Sequence, residues 1–294
     1  MPSVTVLIAD PAPAPLDPGL VREVARAVKG APRWLAEGEA AEIASEALAP
    51  DAAAEAVAPL VAGLLVDHAC LPVAARRKRL LVSDMDSTMI TIECIDELAD
   101  FAGIKPQIAE VTRRAMNGEI DFPTALRARV ALLEGLPAST IDEVIRERLR
   151  LMPGARTLVR TMRAHGACTM LVSGGFTAFT AIVRDAIGFD ADEANVLEIV
   201  DGRLTGRLVG PLRDAGSKLA ALERLMAERG LEREATAAVG DGANDLPMIR
   251  ASGLGVAFRA HPRVRAQAPV RIEHGDLTAV LYLQGYAKDE LVSG

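Results

Sequence analysis

Leu80-Leu81-Val82-Ser83-Asp84-Met85-Asp86-Ser87-Thr88 is the stretch whose reading decides the fold. Residues 80–83 show no polar–apolar alternation, as in a strand buried on both faces of a parallel sheet. The run ends in two aspartates two residues apart. In open α/β sheets ligands bind outside the carboxyl ends of the strands, which makes this loop a site candidate. Two further strand-like runs end in the same way. Residues 167–172 (ACTMLV) lead into Ser173-Gly174-Gly175, and 235–239 (ATAAV) into Gly240-Asp241-Gly242 and on to Asp245. The three polar, glycine-rich loops should converge.

Around them strand and helix patterns alternate. Helices are expected at 155–165, 176–187, 217–229 and about 244–250. Strands are expected at 194–200, 253–258 and near 269–273. An Asp201-Gly202 turn between alternating apolar residues predicts a hairpin over 194–209. This alternation predicts an α/β fold with a doubly wound parallel sheet. From 93 to 150 the period is helical, with Leu98, Ile108, Val111, Ala115, Leu126, Val130 and Leu133 at i, i+3/i+4 spacings. Sixty residues without a strand are too many for a crossover, so an inserted helical cap is expected at about 90–153. Upstream, a strand at 3–9, a helix at 17–29 entered through Asp17-Pro18, a strand-like stretch at 34–45, a helix at 51–64 and an apolar run at 65–72 form a small α/β module, residues 1–75. The cluster Arg76-Arg77-Lys78-Arg79 reads as a solvated face at the junction.

Composition narrows the function classes. The chain has 294 residues, 33 basic and 40 acidic, with a net charge of −7. That argues against nucleic acid or an anionic membrane as partner. The longest apolar run, 56–66, is too short to span a membrane, and no basic stretch with an apolar core opens the chain. Three scattered cysteines (Cys70, Cys94, Cys168) and four dispersed histidines form no metal-ligand spacing, and read as reduced thiols in a cytoplasmic protein.

The chemistry lies in the acids. Asp84 and Asp86 at one strand end, with Asp241 and Asp245 at another, would repel one another unless a cation sits between them. Oxygen-only donors select a hard ion, Mg2+ above all. Ser173, Gly174 and Gly175 offer a hydroxyl and amides to phosphate oxygens, and Lys218 adds a positive charge. Together these describe phosphoryl transfer, and without a Walker-type loop a carboxylate is the better nucleophile.

DMDST, SGG, Lys218 and GDGAND occur in the order and on the element types of the haloacid dehalogenase superfamily, which the chain resembles on these motifs. Glu93-Cys94-Ile95-Asp96-Glu97-Leu98, Met116-Asn117-Gly118, Phe122, Leu126-Arg127-Ala128-Arg129-Val130, Ser173-Gly174-Gly175-Phe176 and Asp201-Gly202-Arg203-Leu204-Thr205-Gly206 narrow the resemblance to its phosphoserine phosphatase family. The likeness covers residues 80 to about 285. It implies a Rossmannoid catalytic domain over 76–290 that carries the helical cap.

The resemblance implies Asp84 as nucleophile and Asp86 as general acid/base. It implies Mg2+ on the Asp84 carboxylate, the Asp86 carbonyl and the Asp241 carboxylate, with Asp245 in the outer shell. Ser173, Gly174 and Lys218 would bind the phosphoryl group, with Asn244 nearby. Glu93 would take the substrate ammonium, Arg129 its carboxylate, and Met116 and Phe122 the apolar side. Other readings stay open. Glu93 could complement a helix N-terminus, Arg127 matches Arg129 by charge, Met116 and Phe122 could be core, and Ser87 and Thr88 could serve only the loop backbone.

The reaction implied is hydrolysis of O-phospho-L-serine, the last step of serine biosynthesis, in the cytoplasm. The alternatives are a phosphatase for phosphohomoserine or phosphothreonine, a phosphotransferase to an alcohol such as homoserine, or a non-catalytic amino-acid sensor. The first module resembles regulatory or dimerising modules of some bacterial members, and leaves a homodimer open.

Overall fold

A computed structural model describes residues 2–116 and 119–293; the side chain of Met116 lies outside it. The first six elements are β1 (Ser3–Ala9), α1 (Pro18–Ala27), β2 (Ala31–Ala36), β3 (Ala40–Ser45), α2 (Pro50–Val61) and β4 (Val66–Pro72). They form an antiparallel sheet in the order β2-β3-β1-β4, the βαββαβ pattern of ferredoxin-like units. Asp17 caps α1, accepting from Gly19 N at 3.0 Å and Leu20 N at 3.2 Å, and Pro18 occupies the first turn, where no amide partner is needed.

Every residue of β1 is buried, and strand parity explains why. Leu7 and Ala9 face the core shared with α1 and α2, whereas Val4, Val6 and Ile8 join the large core of the rest of the chain. The sheet is covered on both faces. The stretch 34–45, read from sequence as one strand, is instead a hairpin of β2 and β3. Its turn carries a single positive-φ residue, Gly38 (φ 71°), rather than a recognisable hairpin pair.

The second sheet has seven strands. After β5 (Leu80–Ser83) come the helices α3 (Cys94–Phe101), α4 (Lys105–Met116), α5 (Phe122–Ala131) and α6 (Ser139–Glu147), then α7 (Ala155–Ala164). Next are β6 (Cys168–Phe176), α8 (Thr177–Ile187), β7 (Ala191–Val200), β8 (Arg203–Val209), α9 (Ala215–Arg229) and β9 (Thr236–Gly240). The chain ends with α10 (Leu246–Ala251), β10 (Leu254–Phe258), α11 (Pro262–Arg265), β11 (Val270–Ile272) and α12 (Ala279–Leu283). The strand order is β11-β10-β9-β5-β6-β7-β8, parallel except for β8. Asp201 (φ 49°) and Gly202 (φ 73°) turn the β7–β8 hairpin, both left-handed as a two-residue turn requires. The short α11 and α12 had no counterpart in the sequence reading.

The α3–α6 segment leaves and returns through a two-stranded bridge. Thr91 N donates to Arg150 O (3.0 Å) and Met152 N to Met89 O (2.9 Å). Its entry therefore follows directly from the Asp84–Thr88 loop.

The basic cluster is only partly a solvated face: Arg77 and Arg79 are exposed, whereas Arg76 and Lys78 turn inward. Arg76 pairs with Glu42 and donates to the carbonyls of Tyr282 (3.3 Å) and Leu283 (3.2 Å), and Arg77 lies over the Tyr286 ring. Lys78 is buried, its Nζ donating to Ala75 O and Glu234 O at 2.7 Å each. These cations staple the chain where it crosses between the sheets, because carbonyls there need donors.

Burial pushes the Lys78 pKa down to about 8. An unfolded lysine keeps its proton to about 10.4. Between these values the unfolded chain binds more protons, so the Lys78 contribution should rise with pH across that window. Urea unfolding of wild type and Lys78→Met at pH 7.5 and 9.5 checks this. The stability difference should move in favour of wild type by up to about 2 kcal/mol, and a pH-independent difference would contradict it.

Candidate active site

The three polar loops lie at the ends of β5, β6 and β9, which are neighbours in the sheet. Asp84 is 6% exposed, and its N–H donates to Val239 O of the adjacent strand at 3.0 Å. Lys218 reaches the same point from the first turn of α9. That helix is fixed by a capping box in which Asp214 accepts from Ser217 N at 3.0 Å. Lys218 Nζ lies 2.6 Å from both Asp84 Oδ1 and Asp245 Oδ1 and is 1% exposed. Burial alone would lower the lysine pKa; Asp245 and Asp84 overcome it and hold the ammonium charged.

One oxygen each from Asp84, Asp241 and Asp245 falls within a 4.8 Å group. Two full charges at such a distance repel by about 3 kcal/mol at an effective dielectric of 20. Burial, then Asp245, push the Asp84 carboxyl well up in spite of Lys218, and the same two causes push Asp241 up to about 6. The cluster is short of positive charge. Asp245 is already engaged, Oδ1 by Lys218 and Oδ2 by Gly242 N (2.9 Å). Among the described residues Asp84 and Asp241 are each engaged through Oδ1, to Lys218 and Thr88. An all-oxygen set with excess negative charge fits a hard divalent cation, held by Asp84 and Asp241 with Asp245 behind.

Asp86 points toward the helical segment. Among the described residues its buried Oδ1 has no hydrogen-bond partner, and a Cβ on Gly175 would sit 3.0 Å from its Oδ2. Burial, and then Glu93, push its pKa up to about 7. A carboxyl titrating there can both give and take a proton at neutral pH. Ser173 is 1% exposed and its Oγ accepts from Gly175 N at 2.9 Å. The sequence reading did not single out Asn195, a buried polar residue in a strand. It holds this loop by donating to Gly174 O (2.9 Å) and accepting from Arg213 N (2.8 Å).

Glu93 occupies the N-cap position of α3, but its side chain makes no capping hydrogen bond. It accepts instead from Ser87 Oγ at 2.7 Å. Its surroundings in the cleft desolvate it, which, with Asp96, raises its pKa against that hydrogen bond and Arg129. Glu93 is itself exposed to solvent. Arg129 is turned inward on α5, where burial, opposed by Asp96, Glu93 and Asp86, lowers its pKa, whereas Arg127 is exposed. The Phe122 ring comes over Gly174, its Cζ 3.5 Å from where a Cβ would stand. Asn244 folds back over Gly242. Met116's side chain lies outside the described residues.

Ser87 and Thr88 do more than serve the loop backbone. Ser87, left-handed at φ 56°, aims its hydroxyl at Glu93, and Thr88 donates to Asp241 Oδ1 at 2.8 Å, tying the β5 loop to the β9 loop.

A family model for haloacid dehalogenase-like hydrolases matches residues 81–250. A phosphoserine phosphatase of Streptomyces coelicolor is 48% identical over 238 residues, which is 80% of this chain and 58% of that relative; the match thus spans little more than half of its length. The unliganded structure of a probable phosphoserine phosphatase from Vibrio cholerae matches with a TM-score of 0.79 at 34% identity, covering 98% of this chain and 88% of that one. A phospho-aspartyl intermediate analogue of phosphoserine phosphatase matches at a TM-score of 0.65 and 36% identity, over 70% of this chain and 98% of that one. The matched region contains all three strand-end loops and the helical segment facing them, so the chain belongs to the haloacid dehalogenase-like hydrolases, among their phosphoserine phosphatases.

Proposed function

We propose that the chain hydrolyses O-phospho-L-serine to L-serine and phosphate through an aspartyl-phosphate on Asp84. One observation carries the substrate assignment. Arg129 Nε is buried without a partner among the described residues, in a cleft where Glu93 supplies the opposite charge. A buried guanidinium N–H left unpaired is costly, and an amino-acid carboxylate would satisfy it while its ammonium meets Glu93. The planar fork matches a carboxylate bidentately, which a lysine would not. The relatives, named for phosphoserine, support the same reading.

In the first step Asp84 Oδ attacks phosphorus in line, the bond to the serine oxygen breaks, and Asp86 gives that oxygen its proton. In the second, Asp86 takes a proton from water, whose oxygen attacks phosphorus and releases Asp84. Lys218, Ser173 and the Gly174 amide hold the non-bridging oxygens, with Asn244 beside them. Phe122 walls the apolar side, and the helical cap excludes water from the first step. Mg2+, held by Asp84, the Asp86 carbonyl and Asp241, would supply positive charge to the phosphoryl oxygens.

The first 75 residues would form a module beside the catalytic domain, with regulation or dimerisation its expected role. We place the enzyme in the cytoplasm, at the last step of serine biosynthesis. Among the described residues no helix is long and apolar enough to cross a membrane.

Phosphate release with Mg2+ from phosphoserine, phosphothreonine, phosphohomoserine and p-nitrophenyl phosphate tests the substrate. Phosphoserine should lead in kcat/KM by about tenfold or more, the worth of one well-placed charge pair. A preference for the aryl phosphate would overturn the assignment and leave the chemistry standing.

A further inference from the structure

Asp67 lies on β4, at the edge of the first sheet, and is 4% exposed. Among the described residues no cation pairs with its carboxylate. Oδ1 accepts from Glu273 N (2.8 Å), and Oδ2 from His274 N (3.0 Å) and Gly275 N (2.8 Å). These amides belong to the loop that leaves β11 in the other sheet. A buried carboxylate is tolerated only when such donors replace water, and charge-assisted bonds are the strong ones. Asp67 therefore fixes that loop against the first module.

The loop in turn carries the return strand of the helical cap. Leu277 N donates to Pro153 O at 3.1 Å. Gly154 (φ 80°) packs so closely that a Cβ would stand 2.6 Å from Thr278 N and 2.9 Å from Asp276. Pro153 follows Met152, which is bonded to Met89, the residue after the DMDST loop. Beside this route lies a cavity of about 360 Å³, lined by Ile8, Asp10, Pro153, Arg259, Asp276 and Tyr282. The first module and the cap's return strand line this cavity from opposite sides, and the loop between them is held by Asp67 together with Arg259, which donates to Gly275 O at 3.1 Å.

We propose that Asp67 is a positioning residue. Through residues 273–278 it fixes the cap's return strand, and with it the placement of Glu93 and Arg129 around an amino-acid head group. The inference rests on the phosphoserine reading for its substrate dependence. Among the described residues Asp67 bonds only Glu273, His274 and Gly275 through its side chain and not Asp84, Asp86 or Lys218, so its loss should leave the chemistry in place and loosen head-group capture.

The test compares full-length wild type with Asp67→Asn and Asp67→Ala on phosphoserine and on p-nitrophenyl phosphate, which has neither ammonium nor carboxylate. Asp67→Asn should raise KM for phosphoserine about three- to thirtyfold, the range of coupling through such networks, with kcat/KM for the aryl phosphate within about twofold. Amide exchange over 150–154 and 273–278 should quicken. Parallel losses on both substrates, or unchanged kinetics with unchanged exchange, would overturn the proposal. If Asp67→Ala does not fold, Asp67→Asn, which keeps the shape and one acceptor, carries the test. Should wild type prefer the aryl phosphate, the substrate reading fails, while the exchange experiment still decides whether Asp67 controls the hinge.

Discussion

Asp84→Asn is expected to lower phosphoserine turnover by at least about 10⁴-fold, some 5.5 kcal/mol of barrier, while the protein stays folded. The side chain is nearly isosteric and its carboxamide oxygen can still accept from Lys218, now 2.6 Å from Asp84 Oδ1. What would disappear is the proposed nucleophile, since an amide oxygen does not form a stable acyl phosphate. The stability change should run the other way. Asp84, Asp241 and Asp245 bring three negative charges within reach of one ammonium. Removing one leaves the cluster nearer neutrality, so the melting temperature without divalent metal should be unchanged or higher. Sites built for function commonly carry such electrostatic strain. Initial-rate phosphate release and acid-quenched capture of labelled phosphoenzyme are the measurements. Residual activity above about one per cent of wild type, or a phosphoenzyme that still forms, would remove the nucleophile assignment.

The catalytic centre was more legible in the sequence than the cleft that faces it, for a physical reason. Asp84, Ser173 and Asp241 stand at the ends of apolar runs, and an apolar run of that length in an alternating chain is a buried strand whose end has a defined place. Helical periodicity, by contrast, says which face of α5 is apolar and not where a charged residue at its margin turns. Arg127 and Arg129 are equivalent by charge, and only packing puts Arg127 in solvent and Arg129 in the cleft. Thr88 was undervalued because its partner, Asp241, is 153 residues away. The basic run at 76–79 is only partly a surface patch for a related reason. The carbonyls of Tyr282, Leu283 and Glu234 that it satisfies are distant in sequence. Local pattern reports faces and ends of elements; long-range donors and acceptors leave no local mark.

Lys218→Met should cost both activity and stability, and the two losses should separate on adding metal. Methionine fills the volume of the buried stem but leaves Asp84 and Asp245 facing each other without the ammonium between them. Breaking a buried pair by removing one partner costs about 3–5 kcal/mol, and losing a positive charge on the phosphoryl oxygens costs about 10²–10³ in kcat. The stability loss carries a pH signature. With the lysine gone, the Asp84 carboxyl, already held above the unfolded value near 3.9 by burial and Asp245, loses the charge that opposes that rise. The folded state then binds more protons, so the deficit should be small at pH 4 and grow as pH rises through the folded pKa. A divalent cation binds only the folded cluster and should therefore restore part of the melting temperature. It cannot restore the rate to the same extent, because the ammonium position beside Asp84 Oδ1 stays empty of charge. Thermal melts from pH 4 to 8, with and without Mg2+, beside phosphoserine turnover, read all three effects. A deficit independent of pH, or a rate within tenfold of wild type, would mean that Lys218 holds the fold together and does not act on the substrate.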